Sequence, residues 1–460
     1  MTPSPAAVTL PLAFLALALG FAAAPVRAQQ VADVDSKVRA IVDAQLQRPG
    51  AVGLSVGIAQ RGEVLLERGY GRADAEFAVA ADGETMFRIG SITKQFTAAA
   101  VLRCAGRGAL AIDDPLTKYV TTFPLGDHEV TLRQLLTHTS GIPNYTDAGA
   151  AWTRTRALEL SHAELLAVVA GKPFDFAPGQ GWRYSNTGYY LLGMVLEQVT
   201  GKPYAQVVAD ELTTPLGLQR TRYDSNKALI TNRAQGYAFA DGALANDDPI
   251  GMSQPGAAGG LLSTGGDLVR WSMALAGGKV VSKEQFAAMT TATVLPNGRD
   301  THYGFGIGIG EFEGRKVIRH GGGIDGFNSM LMWLPDADLH VAVISNGERL
   351  ASGRVAEAIA RAVLGIEHVA AKDLPLDAAA ARALAGNYRL DDRGLGIAVT
   401  FADGVLKAQG DGQGAFRLLW QGEREYRAEF DDAVRVVFDA DGKGFELHQG
   451  GGIVHARRLD

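Results

Sequence analysis

Phe87-Arg88-Ile89-Gly90-Ser91-Ile92-Thr93-Lys94 is the segment of this 460-residue chain that says most about its fold. Its serine opens a helical run, and its lysine follows three residues later. Residues three apart share one face of a helix, so the lysine amine can lie beside the hydroxyl. A helix N-terminus also offers free N–H groups to a developing oxyanion. The segment therefore predicts a nucleophile, Ser91, with its activator, Lys94; a surface helix cap is the alternative.

A second polar segment, Tyr184-Ser185-Asn186, lies just before a predicted helix at residues 187–199. A phenol is a poor base because its ordinary pKa is about 10, but a neighbouring cation favours the phenolate. Tyr184 would then take the proton of Ser91. The alternative is a tyrosine that covers the core, with Asn186 as the helix N-cap.

A third segment, His320-Gly321-Gly322-Gly323, follows a predicted strand at residues 316–319. Its glycines allow a backbone to approach a ligand closely and to offer its N–H groups. That arrangement suits half of an oxyanion hole. Considered alone, the same residues are also typical of a turn at the end of a strand.

The elements predicted around these segments place strands at both ends of residues 31–364 and helices between them. Strands are predicted at residues 53–59, 63–70, 303–309, 316–319, 327–333 and 340–345. Helices are predicted at residues 31–48, 92–107, 132–137, 163–169, 187–199, 205–212 and 353–364. This order predicts a mixed α/β (α+β) fold, in which an antiparallel sheet built from both ends is flanked by helices and a helical insertion. After Gly365, short alternating runs separated by Asp and Gly predict a small all-β barrel or sandwich.

Composition and charge exclude several classes of partner. The net charge of −6, with no cluster of Lys and Arg, argues against nucleic-acid and anionic-membrane partners. An apolar run at residues 10–24 is followed by a segment with small residues at the two positions that signal peptidase reads. It predicts a signal peptide cleaved after Ala28, with an uncleaved anchor as the alternative. The histidines lack the spacing of metal ligands, so we expect neither a metal nor another cofactor.

Together the three segments resemble those of the penicillin-recognising serine hydrolases, which include class C β-lactamases, D-alanyl-D-alanine carboxypeptidases, D-aminopeptidases and esterases. The likeness spans about residues 31–364 and extends to residues 135–141 and 259–263. It implies an acyl-enzyme on Ser91 that cleaves amide or ester bonds of small or D-amino-acid-containing peptide substrates. In such enzymes Lys94 and Tyr184 would shuttle the proton, and the resemblance leaves open which of them is the base.

The resemblance also implies binding roles. Asn186 would bond Lys94 and the substrate, the N–H groups of Ser91 and Gly323 would hold the oxyanion beside Gly322, and His320 would line the pocket. Because His320 stands where β-lactamases carry lysine, slow β-lactam hydrolysis is expected. A class C-like β-lactamase is the alternative, and a non-catalytic module that binds penicillin or cell-wall peptides is an alternative of another class.

The C-terminal segment opens with Ala385-Gly386-Asn387-Tyr388, which is similar to the start of a lipocalin-like domain found in some peptidases of this family. Such a domain would shade the active site or mediate assembly into an oligomer. We expect a signal peptide at residues 1–28, a hydrolase domain at 29–366, a linker at 367–376 and the barrel at 377–460. The mature protein would be periplasmic or secreted, would act on a small-molecule or peptide substrate, and would contact neither nucleic acid nor membrane.

Overall fold

The computed structural model describes residues 15–367, 370–390, 395–449 and 452–459. Its first helix, α1 (Leu15–Leu46), begins upstream of the helix predicted at residues 31–48. The expected signal peptide, residues 1–28, lies in part outside the described residues, and its cleavage stays a prediction. Among the helices that are described, none has the length and apolar character needed to cross a bilayer.

An antiparallel sheet of seven strands forms the centre of the chain up to Leu364. The strands of this part are β1 (Gly53–Gln60), β2 (Glu63–Asp74), β3 (Val79–Ala80), β4 (Phe87–Arg88), β5 (Arg222–Tyr223), β6 (Tyr237–Ala240), β7 (Ala243–Asn246), β8 (Leu261–Ser263), β9 (Gly308–Phe312), β10 (Arg315–Ile324), β11 (Phe327–Leu334) and β12 (Leu339–Ser345). The order of the large sheet is β3-β2-β1-β12-β11-β10-β9. Because β1 pairs with both β2 and β12, the predicted assembly of one sheet from both ends is confirmed.

Helices cover both faces of this sheet. After α1, the helices are α2 (Thr93–Gly106), α3 (Leu132–Leu136), α4 (Ala150–Thr153), α5 (His162–Leu166), α6 (Asn186–Thr200), α7 (Tyr204–Val208), α8 (Gly256–Gly259), α9 (Gly265–Ala276), α10 (Lys283–Met289), α11 (Ser352–Leu364) and α12 (Ala378–Leu384). α1 and α11 pack on one face and α9 on the other, so β1 is buried along almost its whole length.

The face of β1 that meets α9 carries small residues for a steric reason. The backbone N–H of Gly265 donates to the Ser55 hydroxyl at 2.9 Å. A Cβ on Gly57 would lie 1.9 Å from the carbonyl oxygen of Gly265. Small side chains on this face therefore let the helix approach the strand closely.

The C-terminal residues form a closed, antiparallel eight-stranded barrel, which resolves the predicted choice between barrel and sandwich. Its strands are β13 (Gly386–Leu390), β14 (Gly396–Ala402), β15 (Val405–Gly410), β16 (Phe416–Gly422), β17 (Glu425–Ala428), β18 (Asp431–Phe438), β19 (Gly444–Gln449) and β20 (Gly452–Arg458). Apolar side chains alternate along the strands and point inward. Three rings fill one part of the interior, with Phe445 centred 5.0 Å from Tyr388 and 5.3 Å from Phe438.

Two local predictions are wrong. Residues 303–307 form a loop and not a strand, because Gly306 has φ +70°, a left-handed value, and packs so tightly that a Cβ would lie 2.6 Å from the carbonyl oxygen of Lys94. The run from His320 to Gly323 does not follow a strand but continues β10, where Gly321 pairs with Met330. Pairing with β11 outweighs the low strand propensity of glycine there.

Candidate active site

Ser91 lies in a single 3₁₀ turn, Gly90–Ile92, that leads directly into α2. Gly90 has φ +49°, and a Cβ there would lie 2.9 Å from both the nitrogen and the oxygen of Gly323. Only glycine combines this conformation with this close approach. The turn therefore holds Ser91 at the start of a helix and against β10 at the same time.

Lys94, one turn further along, is fully buried. Its amine nitrogen lies 3.0 Å from the Ser91 hydroxyl oxygen, 2.8 Å from Asn186 Oδ1 and 2.8 Å from the carbonyl oxygen of Ala258. No carboxylate takes part in these contacts. Burial therefore lowers the pKa of Lys94 well below its ordinary value, because the charged form has lost its hydration.

The contacts of the Lys94 amine fix the direction of its lone pair. Asn186 Oδ1 and the Ala258 carbonyl only accept hydrogen bonds, so they take both hydrogens of the neutral amine. The lone pair is then left for the third neighbour, the hydroxyl of Ser91. This is the geometry of a general base that is ready to take the proton of a nucleophile.

Tyr184 lies beside the same two groups. Its ring is beneath the Lys94 amine nitrogen, 4.7 Å from nitrogen to ring centroid. Burial raises the pKa of Tyr184 and the nearby Ser91 hydroxyl offsets this only in part, so the phenol is protonated at neutral pH. Burial thus disfavours the phenolate, which was one of the two bases that the sequence left open. Within the described residues the buried phenol oxygen has no partner in hydrogen-bonding geometry, which leaves it available to a substrate atom.

His320 also lies at the site, but without charge. Its Nδ1 is 2.6 Å from the carbonyl oxygen of Gly321 and must carry the hydrogen, so Nε2 accepts from the Tyr303 hydroxyl at 2.8 Å. Burial and the neighbouring Lys94 lower the pKa of His320 to about 4. The imidazole is consequently neutral at the pH of most enzyme reactions.

Two residues that support the site were not predicted from the sequence. Tyr303 donates a hydrogen bond to His320 from a loop where the sequence predicts a strand. The buried ring of His138 packs 4.3 Å from the ring of Tyr184 and accepts at Nδ1 from the backbone N–H of Ser185 at 3.2 Å. His138 belongs to the segment 135–141 that carried part of the resemblance, whereas no sequence signal marked Tyr303.

The glycines after His320 have different surroundings. A Cβ on Gly322 would lie 2.0 Å from the carbonyl oxygen of Ile89, so this glycine lets β10 reach the turn that carries Ser91. A Cβ on Gly323 would meet nothing within 4 Å, and its backbone borders Gly90. The structure thus brings Gly322 and Gly323 together with the other predicted site residues, Ser91, Lys94, Tyr184, Asn186 and His320.

A cavity of about 410 Å³ opens at Ser91. Residues around the site form one part of its wall and residues of the barrel the other; the first group includes Tyr184, Tyr303, His320 and Arg319. In the described ranges, no three His, Cys, Asp or Glu side chains are grouped so that they could hold a metal ion.

A family model agrees with this arrangement. The Beta-lactamase model matches residues 38–365, which is most of the chain. The chain belongs to the Beta-lactamase family. Members of this family share a fold and include serine hydrolases, so the predicted resemblance is confirmed at that level.

Individual Beta-lactamase family relatives differ in how much of the chain they match. Protein flp of Staphylococcus aureus (strain MW2) is 26% identical over 321 residues, 68% of this chain and 63% of that protein, so the chain spans less than two thirds of this relative. Esterase EstB of Burkholderia gladioli is 36% identical over 201 residues, 41% of this chain and 51% of the esterase. The octameric penicillin-binding protein homologue from Pyrococcus abyssi has a TM-score of 0.65 at 25% identity, over 91% of this chain and 99% of that chain.

Proposed function

We propose that the protein is a serine hydrolase that forms an acyl-enzyme on Ser91 and cleaves ester or amide bonds of small substrates. One observation carries this proposal: the amine of Lys94 has both its hydrogens engaged by acceptors and lies 3.0 Å from the Ser91 hydroxyl. An amine in this state removes the hydroxyl proton as the oxygen attacks a carbonyl carbon. Membership of the family supports the same chemistry.

The reaction would proceed in two halves, acylation of Ser91 and then hydrolysis of the acyl-enzyme. Ser91 Oγ bonds to the carbonyl carbon, its proton passes to Lys94, and the N–H groups of Ser91 and Gly323 stabilise the oxyanion. Tyr184 then donates its phenol proton to the leaving group as that bond breaks, and the proton held by Lys94 restores the phenol. In the second half, water attacks the acyl carbon, and its proton passes through the same groups to Ser91 Oγ. Ser91 is thereby released with its hydroxyl restored.

The neutral state of His320 bears on the choice of substrate. A lysine at this position would attract a substrate carboxylate, whereas an imidazole with a pKa of about 4 offers no positive charge. The neighbouring Arg319 also lines the cavity, but its charge is paired with that of Glu357 at 3.0 Å. Esters and amides with neutral leaving groups are therefore favoured over D-alanyl-D-alanine peptides and β-lactams, which carry a carboxylate. The similarity to an esterase supports this order.

A substrate panel tests the proposal. Purified protein is assayed with p-nitrophenyl esters, D-amino-acid amides, D-alanyl-D-alanine peptides and nitrocefin, and kcat/KM values are compared. We expect the esters to be fastest and nitrocefin slowest. Rapid hydrolysis of nitrocefin would instead favour the class C-like β-lactamase and would contradict the role given to His320.

A labelling experiment tests the alternative of a binding module without turnover. The protein is incubated with a fluorophosphonate, and the mass of the peptide that carries Ser91 is measured. We expect a covalent adduct in the wild type and none in Ser91→Ala. A folded wild-type protein that gains no mass and turns over no ester would favour the binding module.

We further propose that residues 1–28 direct export to the periplasm or medium, and that the barrel at residues 377–460 takes part in assembly. The octameric state of the Pyrococcus homologue supports assembly. N-terminal sequencing of the exported protein tests the first proposal, with Gln29 as the expected first residue. Light scattering of the full chain and of a chain ending at Ile366 tests the second, since a loss of oligomer in the shorter chain is expected.

A further inference from the structure

The cavity at Ser91 continues into the interior of the C-terminal barrel. On the catalytic side its wall includes Ser91, Trp182, Tyr184, Tyr303 and His320. On the other side, strands β13 to β16 and β18 to β20 contribute inward-facing residues. The barrel therefore does not merely lie beside the active site, because its lumen and the nucleophile share one space.

The lumen is lined mainly by apolar side chains, and aromatic rings fill part of the barrel interior. Its wall is made mostly of aliphatic and aromatic side chains, among them Ile397, Val399, Leu418, Val436 and Leu447, with Gln413 and Gln449 as its polar members. The rings of Tyr388, Phe438 and Phe445 pack against one another, and Phe445 belongs to the cavity wall. An eight-stranded barrel is wide enough to hold one small ligand, and a volume of about 410 Å³ is within the ordinary range for ligand pockets.

The position of the lumen relative to Ser91 indicates which part of a substrate enters it. Tyr184 and His320 line the cavity, whereas Asn186 and Ala258, the partners of the Lys94 amine, are not among its wall residues. In the proposed mechanism Tyr184 donates a proton to the leaving group, so the leaving group must lie on the Tyr184 side of the carbonyl. That is the side on which the barrel opens.

We propose that the barrel lumen binds an apolar chain on the leaving-group side of the substrate, such as the alkyl chain of an ester's alcohol or of an amide's amine. This inference rests on the proposed function and narrows its substrate class. Each methylene moved from water into an apolar wall would raise kcat/KM about three- to fourfold until the lumen is full. A neutral His320 and an apolar lumen act together, because both disfavour a charged leaving group.

Two ester series tested on the wild-type protein distinguish the two sides of the carbonyl. The first keeps an acetyl group and lengthens the alcohol from ethanol to decanol; the second keeps ethanol and lengthens the acid over the same range. We expect kcat/KM to climb steeply in the first series and to change little in the second. A climb confined to the acid series, or flat values in both, would overturn the proposal.

A variant that fills the lumen gives an independent measurement. Ala408 is buried and lies on the cavity wall, so Ala408→Phe would occupy the space. We expect kcat/KM of this variant for decyl acetate to fall to about its value for ethyl acetate, so that most of the gain from a long alcohol is lost. Ala402→Phe, at an exposed position of β14, is the matched control and should keep the full gain.

The wild-type protein also provides a test that needs no variant. Decanol should inhibit ethyl acetate hydrolysis competitively, at a concentration at least about 100-fold lower than butanol, given the same gain per methylene. Equal inhibition by both alcohols would count against the lumen as the binding site. If no ester is turned over and Ser91 takes no fluorophosphonate, the proposed function and this inference fall together; turnover without any dependence on alcohol length overturns the inference alone.

Discussion

The amine nitrogen of Lys94 lies 3.0 Å from the hydroxyl oxygen of Ser91, in a site where the lysine is fully buried. Burial lowers the pKa of the amine and favours its neutral form, and two acceptors, Asn186 Oδ1 and the Ala258 carbonyl, hold its hydrogens away from the serine. In the proposed mechanism the pair works as a nucleophile with its base, and the phenol of Tyr184 remains free for another role. The predictions below separate these roles.

Removing the amine should abolish the first chemical step. Lys94→Met keeps an unbranched apolar side chain in the buried position but has no lone pair for the Ser91 proton. We expect kcat for p-nitrophenyl acetate to fall about 10²- to 10⁴-fold, the usual contribution of a positioned base. Lys283→Met, an exposed substitution on α10, serves as the control and should leave kcat unchanged. A Lys94→Met protein with near-normal kcat would exclude the lysine as the base.

The pH dependence of kcat/KM should follow the amine. In the proposed mechanism Lys94 acts in its unprotonated form, so activity should increase as pH rises through its lowered pKa and then reach a plateau. Because burial raises the pKa of Tyr184 above its ordinary value, the plateau should extend past pH 9 or so without a falling limb. Initial rates across this range check the prediction, which a decline between neutral pH and pH 9 would contradict.

Replacing the phenol should affect poor leaving groups most. In Tyr184→Phe the ring against Lys94 is kept and only the donor to the leaving group is lost. We expect kcat for an alkyl ester to drop about 10²-fold or more, while a p-nitrophenyl ester, whose leaving group needs no proton, loses far less. Comparing the two substrates in wild type and variant gives the result. Equal losses on both would point to a role for the phenol in attack by Ser91.

Tyr303 should act as a positioning residue through His320. Tyr303→Phe removes the donor to His320 Nε2 and leaves a buried acceptor without its partner, which costs about 1 kcal/mol or more of stability. A purely structural role would change stability alone, so the informative readout is the ¹⁵N spectrum of His320. We expect the tautomer or the pKa of His320 to change in Tyr303→Phe. An unchanged spectrum would show that Tyr303 does not influence the charge state of His320.

Stability should depend on buried histidines in mildly acidic solution. Burial lowers the pKa of His340 to about 4, so between roughly pH 6.5 and pH 4 the unfolded chain binds a proton that the folded chain does not. Stability is thus fully present above pH 6.5 and is lost as pH falls. His340→Gln should flatten the decline of unfolding free energy by up to about 1.4 kcal/mol per pH unit. Denaturant titrations at pH 7 and pH 4.5 give the free energy of unfolding of the wild type and of the variant. Parallel declines in the two proteins would refute the assignment.

Much of the fold was predictable from local patterns. Strand patterns at both ends of residues 31–364 predicted the central sheet. Turns rich in Asp and Gly predicted a small all-β barrel or sandwich at the C-terminal end. The errors arose where packing outweighed local preference. Gly306 turns the chain next to Lys94, and Gly321 is held in β10 by its pairing with β11, neither of which a single sequence reveals.

For the site, the sequence by itself determined which groups could react. Ser91 and Lys94 are three residues apart on one helix, and helical geometry alone brings them together. Only the tertiary structure decided how they react, because pKa values and lone-pair directions depend on burial and on partners remote in sequence. The acceptors of the Lys94 amine come from Asn186 and Ala258, 92 and 164 residues away, and the space beside Ser91 is closed by a barrel that begins at Gly386.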